Sequence, residues 1–119
     1  MYTYEIKEIV KVIDGDTVDA VIDLGFKVSI KLRIRFFGIN TPETRLQRKI
    51  KDPTERRKEK QRGLKVKEIV KTLLYSSKKI KLESKGLGKY GRVLGVIYLD
   101  DQETSLNQYL LDNGHAEEM

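Results

Sequence analysis

Apolar and polar positions alternate through the first third of the chain in the way that β-strands require. The alternation falls into three runs, over residues 6–13, 18–24 and 28–36, separated by Asp14-Gly15 and by Gly25, which favour turns. The side chains of a strand alternate between its two faces, so Arg35 lies on the face opposite to one apolar row of the third run. That row consists of Val28, Ile30, Leu32 and Ile34. The pattern predicts three antiparallel strands with Arg35 pointing away from this row.

After Pro53 the apolar residues recur at the three- and four-residue intervals of a helix. We predict one helix over residues 54–75, ended by Ser76-Ser77. Gly63 is expected to weaken its first half, where charged residues dominate. The segment from Arg45 to about Lys60 is therefore predicted to be either a mobile loop or a frayed helix start.

The last third of the chain predicts two more strands and a short helix. The strands cover Lys79–Glu83 and Val93–Leu99, and the helix covers Leu106–Asn113 before Gly114. Three strands, a helix, two strands and a helix follow the order of a five-stranded Greek-key barrel of the OB-fold type. We predict a mainly β protein with two or three helices, forming a single domain over residues 1–119.

Charge is concentrated in one part of the chain. The formal net charge is +6, and residues 45–67 hold 11 Lys and Arg against 3 Asp and Glu, a local net of +8. Such a segment is typical either of a solvated helix face or of a polyanion contact.

Composition excludes several classes of site and partner. The chain has no cysteine, which rules out disulfides, thiolate zinc sites and cysteine nucleophiles. No run of 18 apolar residues occurs, so we expect no membrane partner. The first residues lack the basic-then-apolar order of a secretory leader, which favours a cytoplasmic protein or a mature secreted form.

Three short clusters, far apart in the sequence, carry candidate chemistry. Asp14-Gly15-Asp16-Thr17 is typical of a hairpin turn, but its carboxylates can also converge on one cation, with a hydroxyl from Thr17 beside them. Asn40-Thr41-Pro42-Glu43 resembles either a helix start or a rigid loop that holds Glu43 as a base.

The third cluster, Lys89-Tyr90-Gly91-Arg92, is either a polar turn before a strand or a phosphate-binding element. A guanidinium fork matches two phosphate oxygens, while Tyr90 could pack on a base or sugar and Lys89 could contact a neighbouring phosphate. Together with Arg35, the three clusters offer hard oxygen ligands, a carboxylate base and two guanidiniums. That combination suits phosphodiester cleavage.

The clusters, in this order and at this spacing, resemble the staphylococcal nuclease (thermonuclease) family. The resemblance spans nearly the whole chain and includes Val12-Ile13, Lys78-Lys79-Ile80, Leu106-Asn107 and Gly114-His115-Ala116. It implies an OB barrel with helices, in a family whose members hydrolyse DNA and RNA with Ca²⁺.

The resemblance also implies a calcium site. By position, Asp16, the Asn40 side chain and the Thr41 carbonyl would bind Ca²⁺, with Asp14 nearby. The family has aspartate where this chain has Asn40, so one anionic ligand becomes a neutral amide oxygen. We expect a lower Ca²⁺ affinity, with Asp14 or an extra water compensating.

Catalytic roles are implied in the same way. Arg35 and Arg92 would hold the scissile phosphate, and Glu43 would either activate the attacking water or only orient it. The 5′ oxygen would leave, so the expected products carry 3′-phosphates. The tyrosines that the family's reference enzyme places after the Gly-His-Ala segment have no counterpart here, so substrate binding is expected to be weaker or to depend on residues 45–67. His115, the one histidine, is interpreted as a surface residue at a helix end.

We predict a monomeric, Ca²⁺-dependent endo- or exonuclease of low sequence specificity that acts on DNA and RNA and prefers single strands. The alternative is a catalytically weak or inactive barrel of the same family that binds nucleic acid or protein, as in the family's Tudor-fused repeats, where active-site residues are typically lost. Retention of Arg35, Glu43 and Arg92 favours the enzyme.

Overall fold

The computed structural model describes residues 2–44 and 49–119. Within them the chain forms seven strands and two α-helices, with a 3₁₀ turn at Lys89–Gly91. In chain order the elements are β1 (Tyr2–Asp14), β2 (Thr17–Gly25), β3 (Val28–Phe36), β4 (Ile39–Asn40), α1 (Pro53–Ser76), β5 (Ile80–Leu87), β6 (Val93–Leu99), α2 (Leu106–Asp112) and β7 (Glu117–Glu118).

Five strands close into a barrel in the order β1-β2-β3-β6-β5. Neighbouring strands are antiparallel except for β3 and β6, whose parallel pairing completes the barrel. Side chains from alternate strand positions fill the interior, among them the fully buried Ile34, Phe36, Leu82 and Ile97. The predicted OB-fold barrel with helices is therefore confirmed.

Helix α1 lies between β3 and β5 in sequence and starts one residue earlier than predicted. Asp52 caps it, because its Oδ1 accepts a hydrogen bond from the Thr54 N–H at 2.9 Å, and Pro53 occupies the first turn. A buried stripe packs the helix on the barrel and consists of Val66, Val70 and Leu74. Residues 45–48, the start of the segment predicted to be mobile, lie outside the described residues. Residues 53–60 are regular helix, so the loop alternative is wrong for that part.

The β2–β3 hairpin extends beyond the closed part of the barrel, and its apolar side chains are exposed. The exposed residues are Leu24, Phe26, Val28 and Ile30. The apolar row predicted for β3 is thus divided, since Ile34 is buried and Ile30 is not. Phe26 and Lys27 form the tip with φ angles of 53° and 65°, as a type I′ turn requires. The alternation of apolar and polar residues predicted the strand correctly but did not show how much of its length is buried in the core.

Two connections that the sequence analysis did not predict hold the C-terminal part. The buried Asn107 of α2 accepts a hydrogen bond from the Ile97 N–H at 3.1 Å and donates to the carbonyls of Phe37 and Gly95. Strand β7 pairs with β4, placing Glu117 opposite Asn40. This short ribbon fixes the backbone that leads into the second cluster. Among the described residues, neither helix combines the length and apolar composition needed to cross a membrane.

Candidate active site

The Gly15-Asp16 turn joins β1 to β2 and lies under α1 and under the loop that follows β4. Gly15 is buried, and a Cβ at this position would come within 2.7 Å of Val66 Cγ1 and 2.9 Å of Thr41 Oγ1. Only glycine allows the helix and the loop to approach the turn this closely. The turn interpretation and the site interpretation are therefore compatible, because the same turn brings the first two clusters together.

Asp16 is buried at the centre of this contact. Its Oδ2 accepts a hydrogen bond from the Thr41 N–H at 3.0 Å, and its Oδ1 accepts one from the Thr17 hydroxyl at 3.0 Å. The Arg35 guanidinium lies 3.3 Å from the same carboxylate, and both side chains are 12% exposed. Asp16 thus links β2, β3 and the loop through one carboxylate.

Arg35 projects from β3 towards this carboxylate, on the face opposite Ile34. Its Nη1 donates to the carbonyls of Phe36 and Ile39 at 3.1 and 2.9 Å, and its Nη2 donates to Asn40 Oδ1 at 2.5 Å. These bonds use three of the five guanidinium N–H groups. The cation is therefore held in a fixed orientation while it retains donors for another acceptor.

The loop from Asn40 to Glu43 is not a helix start, because α1 begins only at Pro53. Helix α1 approaches the loop at Gly63, where a Cβ would lie 2.8 Å from the Pro42 carbonyl and closer still to the Glu43 carbonyl. The Glu43 side chain is exposed. Backbone packing therefore fixes the position of Glu43 while its carboxylate faces solvent.

The third cluster forms the 3₁₀ turn before β6. Tyr90 has a φ of 62° and is 93% exposed. The Lys89 carbonyl accepts a hydrogen bond from Arg92 Nε at 3.3 Å, and the Arg92 guanidinium lies 5.8 Å from the Tyr90 ring centre, within the range of a cation–π contact. A backbone carbonyl of the turn therefore helps to orient the Arg92 side chain.

All three clusters border one cavity of about 210 Å³. Its lining residues are Asp14, Asp16, Thr17, Arg35, Asn40, Thr41, Pro42, Glu43 and Arg92. Tyr90 borders a neighbouring cavity of about 500 Å³, together with Arg33 and Arg92. Lys89 is exposed on the turn and lines neither cavity, so the structure brings together all of the predicted catalytic and metal-binding residues but not this lysine.

The oxygen atoms at this cavity are of the types that bind a hard divalent cation. A carboxylate of Asp16, an amide oxygen of Asn40 and a carbonyl of Thr41 are ligands that Ca²⁺ accepts. In addition, the Thr41 hydroxyl oxygen is buried and is the one such side-chain atom in the described ranges that has no hydrogen-bond partner.

The anionic charge available to a cation is nevertheless small. Asp16 is already paired with Arg35, Asp14 accepts a hydrogen bond from the Thr44 hydroxyl at 2.6 Å, and Asn40 is neutral. Within residues 2–44 and 49–119, no three carboxylate, histidine or cysteine groups come close enough to hold one ion between them. A cation at this cavity would have to compete with Arg35 for Asp16.

Sequence reasoning missed three residues that contribute to this region. Gly63 was interpreted only as a weak helix position, and Arg33 and Thr44 were given no role. Arg33 forms a two-point ion pair with Asp19 at 2.8 and 3.2 Å, which lowers the pKa of Asp19. Thr44 donates to Asp14. The pairing of Arg33 with Asp19 could have been found from strand register, since the two residues are opposite each other on β3 and β2.

Comparison with known protein families identifies a related family. The family model described as staphylococcal nuclease homologue (SNase) matches residues 33–119, which is more than half of the chain. The matched part includes the end of β3 with Arg35, the Asn40–Glu43 loop and the turn that carries Arg92, whereas the Asp14–Thr17 turn precedes it. A comparison with curated proteins found none that matches. With the barrel and the matched segment in agreement, the chain belongs to the staphylococcal nuclease homologue family.

Proposed function

We propose that this protein is a nuclease that hydrolyses phosphodiester bonds of DNA and RNA at the cavity between the three clusters. The observation that supports the proposal best is the convergence of two guanidiniums, Arg35 and Arg92, with the exposed carboxylate of Glu43 on one small cavity. An anionic phosphate can lie against the guanidiniums while the carboxylate faces a water molecule.

The two arginines bind the scissile phosphate from different elements. Arg35 on β3 is held by backbone carbonyls and by Asp16, and Arg92 is held by the Lys89 carbonyl. Because Arg35 is oriented by several bonds before substrate binds, its guanidinium can stabilise the additional negative charge of the transition state without reorganising, and Arg92 borders the same cavity.

Glu43 takes the proton of the attacking water. The water oxygen forms a bond to phosphorus in line with the 5′ oxygen, the bond from phosphorus to that oxygen breaks, and the 5′ oxygen leaves and takes a proton from solvent water. The products are a 3′-phosphate and a 5′-hydroxyl. The exposed side chain on a backbone contacted by Gly63 suits this role, because water reaches the carboxylate while α1 holds the backbone that carries it.

We further propose that activity depends on Ca²⁺. Asp16, Asn40 and the Thr41 carbonyl would hold the ion, with Asp14 nearby. When bound, the cation supplies electrostatic stabilisation of the negative charge that develops on the phosphate. Of the three groups that would contact the ion, only Asp16 is anionic, and it is already paired with Arg35, so affinity should be weak and the Ca²⁺ requirement high.

Low sequence specificity and a preference for single strands follow from the shape of the site. A cavity of about 210 Å³ is below the usual size of a small-molecule pocket and accommodates a phosphate rather than a whole nucleotide. The exposed Tyr90 ring offers a stacking surface for an unpaired base of any type. We propose that the protein acts as a monomer, since all of these groups come from one chain.

Analysis of the products tests the reaction type. Single-stranded DNA and RNA labelled at the 5′ end are incubated with the protein in Ca²⁺ or in chelator, and the fragments are then treated with a phosphatase that removes terminal phosphates. The proposal predicts cleavage in Ca²⁺ only, with fragments whose mobility shifts on removal of a 3′-phosphate. Fragments ending in 3′-hydroxyl groups would contradict the proposed direction of cleavage.

The second candidate function is a barrel that binds nucleic acid or protein without cleaving it. The observation in its favour is the combination of a neutral Asn40 with an Asp16 that is neutralised by Arg35. Binding of the labelled strands without cleavage in Ca²⁺, Mg²⁺ and Mn²⁺ would support this candidate over the enzyme.

A further inference from the structure

A second groove opens beside Glu43, on the side where α1 faces β1. Its volume is about 480 Å³, more than twice that of the candidate active site. The residues that line it are Lys11, Ile13, Asp14, Glu43, Thr44, Leu64 and Lys67.

This groove adjoins the candidate active site and the Tyr90 cavity, because it shares lining residues with both. Asp14 lines all three cavities, Glu43 lines the groove and the active site, and Ile13 lines the groove and the Tyr90 cavity. The Tyr90 cavity, the proposed phosphate position and the groove at α1 therefore lie next to one another on this surface.

The groove has a mixed chemical character away from Glu43. Ile13 and the 44% exposed Leu64 provide an apolar surface, while Lys11 from β1 and Lys67 from α1 provide two ammonium groups. Across the described part of the chain, neither lysine lies within 4.0 Å of a carboxylate oxygen. Lys11 is opposite Asp19 in the strand register, and the carboxylates of Asp14 and Glu43 also line the groove, so its formal charge is balanced. An apolar surface beside two lysines that form no ion pair within the described residues suits a sugar or base attached to a phosphate.

The geometry of in-line displacement gives the groove a role. The leaving 5′ oxygen lies opposite the attacking water, and the 3′ oxygen lies roughly at right angles to both, so the two parts of the strand leave phosphorus in different directions and each needs its own path away from the site. The Tyr90 cavity offers one path, and the groove at Lys11 and Lys67 offers the other.

We propose that the groove between β1 and α1 is a nucleotide-binding subsite for single-stranded nucleic acid, in which Lys11 and Lys67 contact a phosphate next to the scissile one. The identity of the ligand rests on the proposed function. The subsite extends that function, because it makes affinity depend on strand length and on the phosphate next to the cleaved bond.

Binding measurements with matched lysine variants test this subsite. A fluorescent oligothymidylate is titrated with the wild type, Lys11→Ala and Lys67→Ala in chelator, so that no cleavage occurs. Lys7→Ala on β1 and Lys71→Ala on α1 are the controls, since both lysines are exposed and neither lines the groove. Unfolding curves establish that all variants are folded.

We expect each groove variant to weaken binding about three- to tenfold at moderate salt and to reduce the slope of log K against log salt by about 0.7, as for loss of one phosphate contact to a single strand. The control variants should change affinity less than about twofold. A second set of oligonucleotides carries one neutral methylphosphonate at successive positions. At one position, the methylphosphonate should weaken binding to the wild type but not to Lys67→Ala.

The outcomes separate this inference from the proposed function. If DNA is cleaved but the groove variants bind like their controls, the subsite is wrong and the nuclease proposal stands. If the groove variants lose affinity but no metal supports cleavage, the subsite stands and the nuclease proposal fails. Methylphosphonate effects that are the same in Lys67→Ala and in the wild type would also overturn the subsite.

Discussion

At the residue scale, Arg35 and Arg92 carry the same charge in different surroundings. Arg35 is 12% exposed on its side chain and neutralises the buried Asp16, whereas Arg92 contacts mainly the turn that carries it. The two arginines are proposed to act together on the phosphate, but only Arg35 also supports the fold.

This difference gives the first prediction. Arg35→Ala leaves the Asp16 carboxylate without its cation and should lower the free energy of unfolding by about 1–3 kcal/mol. Arg92→Ala should change it by less than about 0.5 kcal/mol, since its contacts are local and near the surface. Denaturant unfolding at pH 7 measures both values, and both variants should lose activity. Equal stability of the two variants would show that the contact between Arg35 and Asp16 contributes little.

Position 40 gives a second prediction at this scale. Asn40→Asp adds an anionic ligand to a site with one paired carboxylate, so we expect the Ca²⁺ concentration for half-maximal activity to fall by roughly tenfold. Gln102→Glu, at an exposed position before α2, is the control for added charge alone. An unchanged Ca²⁺ requirement in Asn40→Asp would show that position 40 is not a ligand.

At the element scale, α1 does more than cover the barrel. Its apolar stripe packs on the barrel, and its one glycine meets the backbone of the loop that carries Glu43. On helix propensity alone, Gly63 would only destabilise α1. Packing explains the glycine, because the helix lies closest to the loop backbone at this residue.

Gly63→Ala distinguishes these two interpretations. In an unconstrained helix the substitution would stabilise by about 1 kcal/mol, but here the added Cβ overlaps the Pro42 and Glu43 carbonyls and must displace them. We expect lower stability and a loss of cleavage of at least about tenfold, because small displacements of a positioned group cost rate steeply. Unfolding and cleavage assays measure both effects, with Lys65→Ala as the control on the same helix. A more stable and fully active Gly63→Ala protein would contradict the account.

The ion pair between β2 and β3 gives a prediction about pH. The Arg33 guanidinium holds the pKa of Asp19 below its usual value. A carboxyl with a lowered pKa in the folded state contributes stability above its unfolded pKa of about 3.9 and loses that contribution as pH falls through the folded value.

Asp19→Asn should therefore lower the free energy of unfolding at pH 7 by only about 0.5 kcal/mol, because Arg33 is half exposed and solvent screens the pair. The difference from the wild type should shrink as pH falls below about 4. Urea unfolding at several pH values provides the measurement. A difference that persists at pH 2 would mean that Asp19 acts through packing rather than charge.

At the scale of the whole molecule, local patterns predicted the elements better than the contacts between them. Alternation and helical spacing gave the barrel strands and α1 within a few residues, since these signals depend on which face is buried. The two-residue strands β4 and β7 gave no periodic signal, because so short a pairing shows no alternation. The sequence also could not show that Val28 and Ile30 lie beyond the core, which depends on where the barrel closes.

For the candidate site, too, local residue patterns were more informative than the contacts between distant residues. Residue types in the three clusters indicated phosphate and metal chemistry, and the structure brings them to one cavity. The pairing of Asp16 with Arg35 and the approach of Gly63 to Glu43 depend on three-dimensional packing and could not be read from the residues alone.

The central claim is that this cavity hydrolyses phosphodiesters through Glu43 and the two arginines. The most direct measurement is the cleavage rate of heat-denatured DNA in saturating Ca²⁺ by the wild type and by Glu43→Gln and Arg92→Lys, which keep side-chain size. The account predicts measurable cleavage by the wild type, a loss of at least about a hundredfold in each folded variant, and none in chelator. Equal rates in the wild type and both variants, or no cleavage by the wild type at any Ca²⁺ concentration, would contradict it.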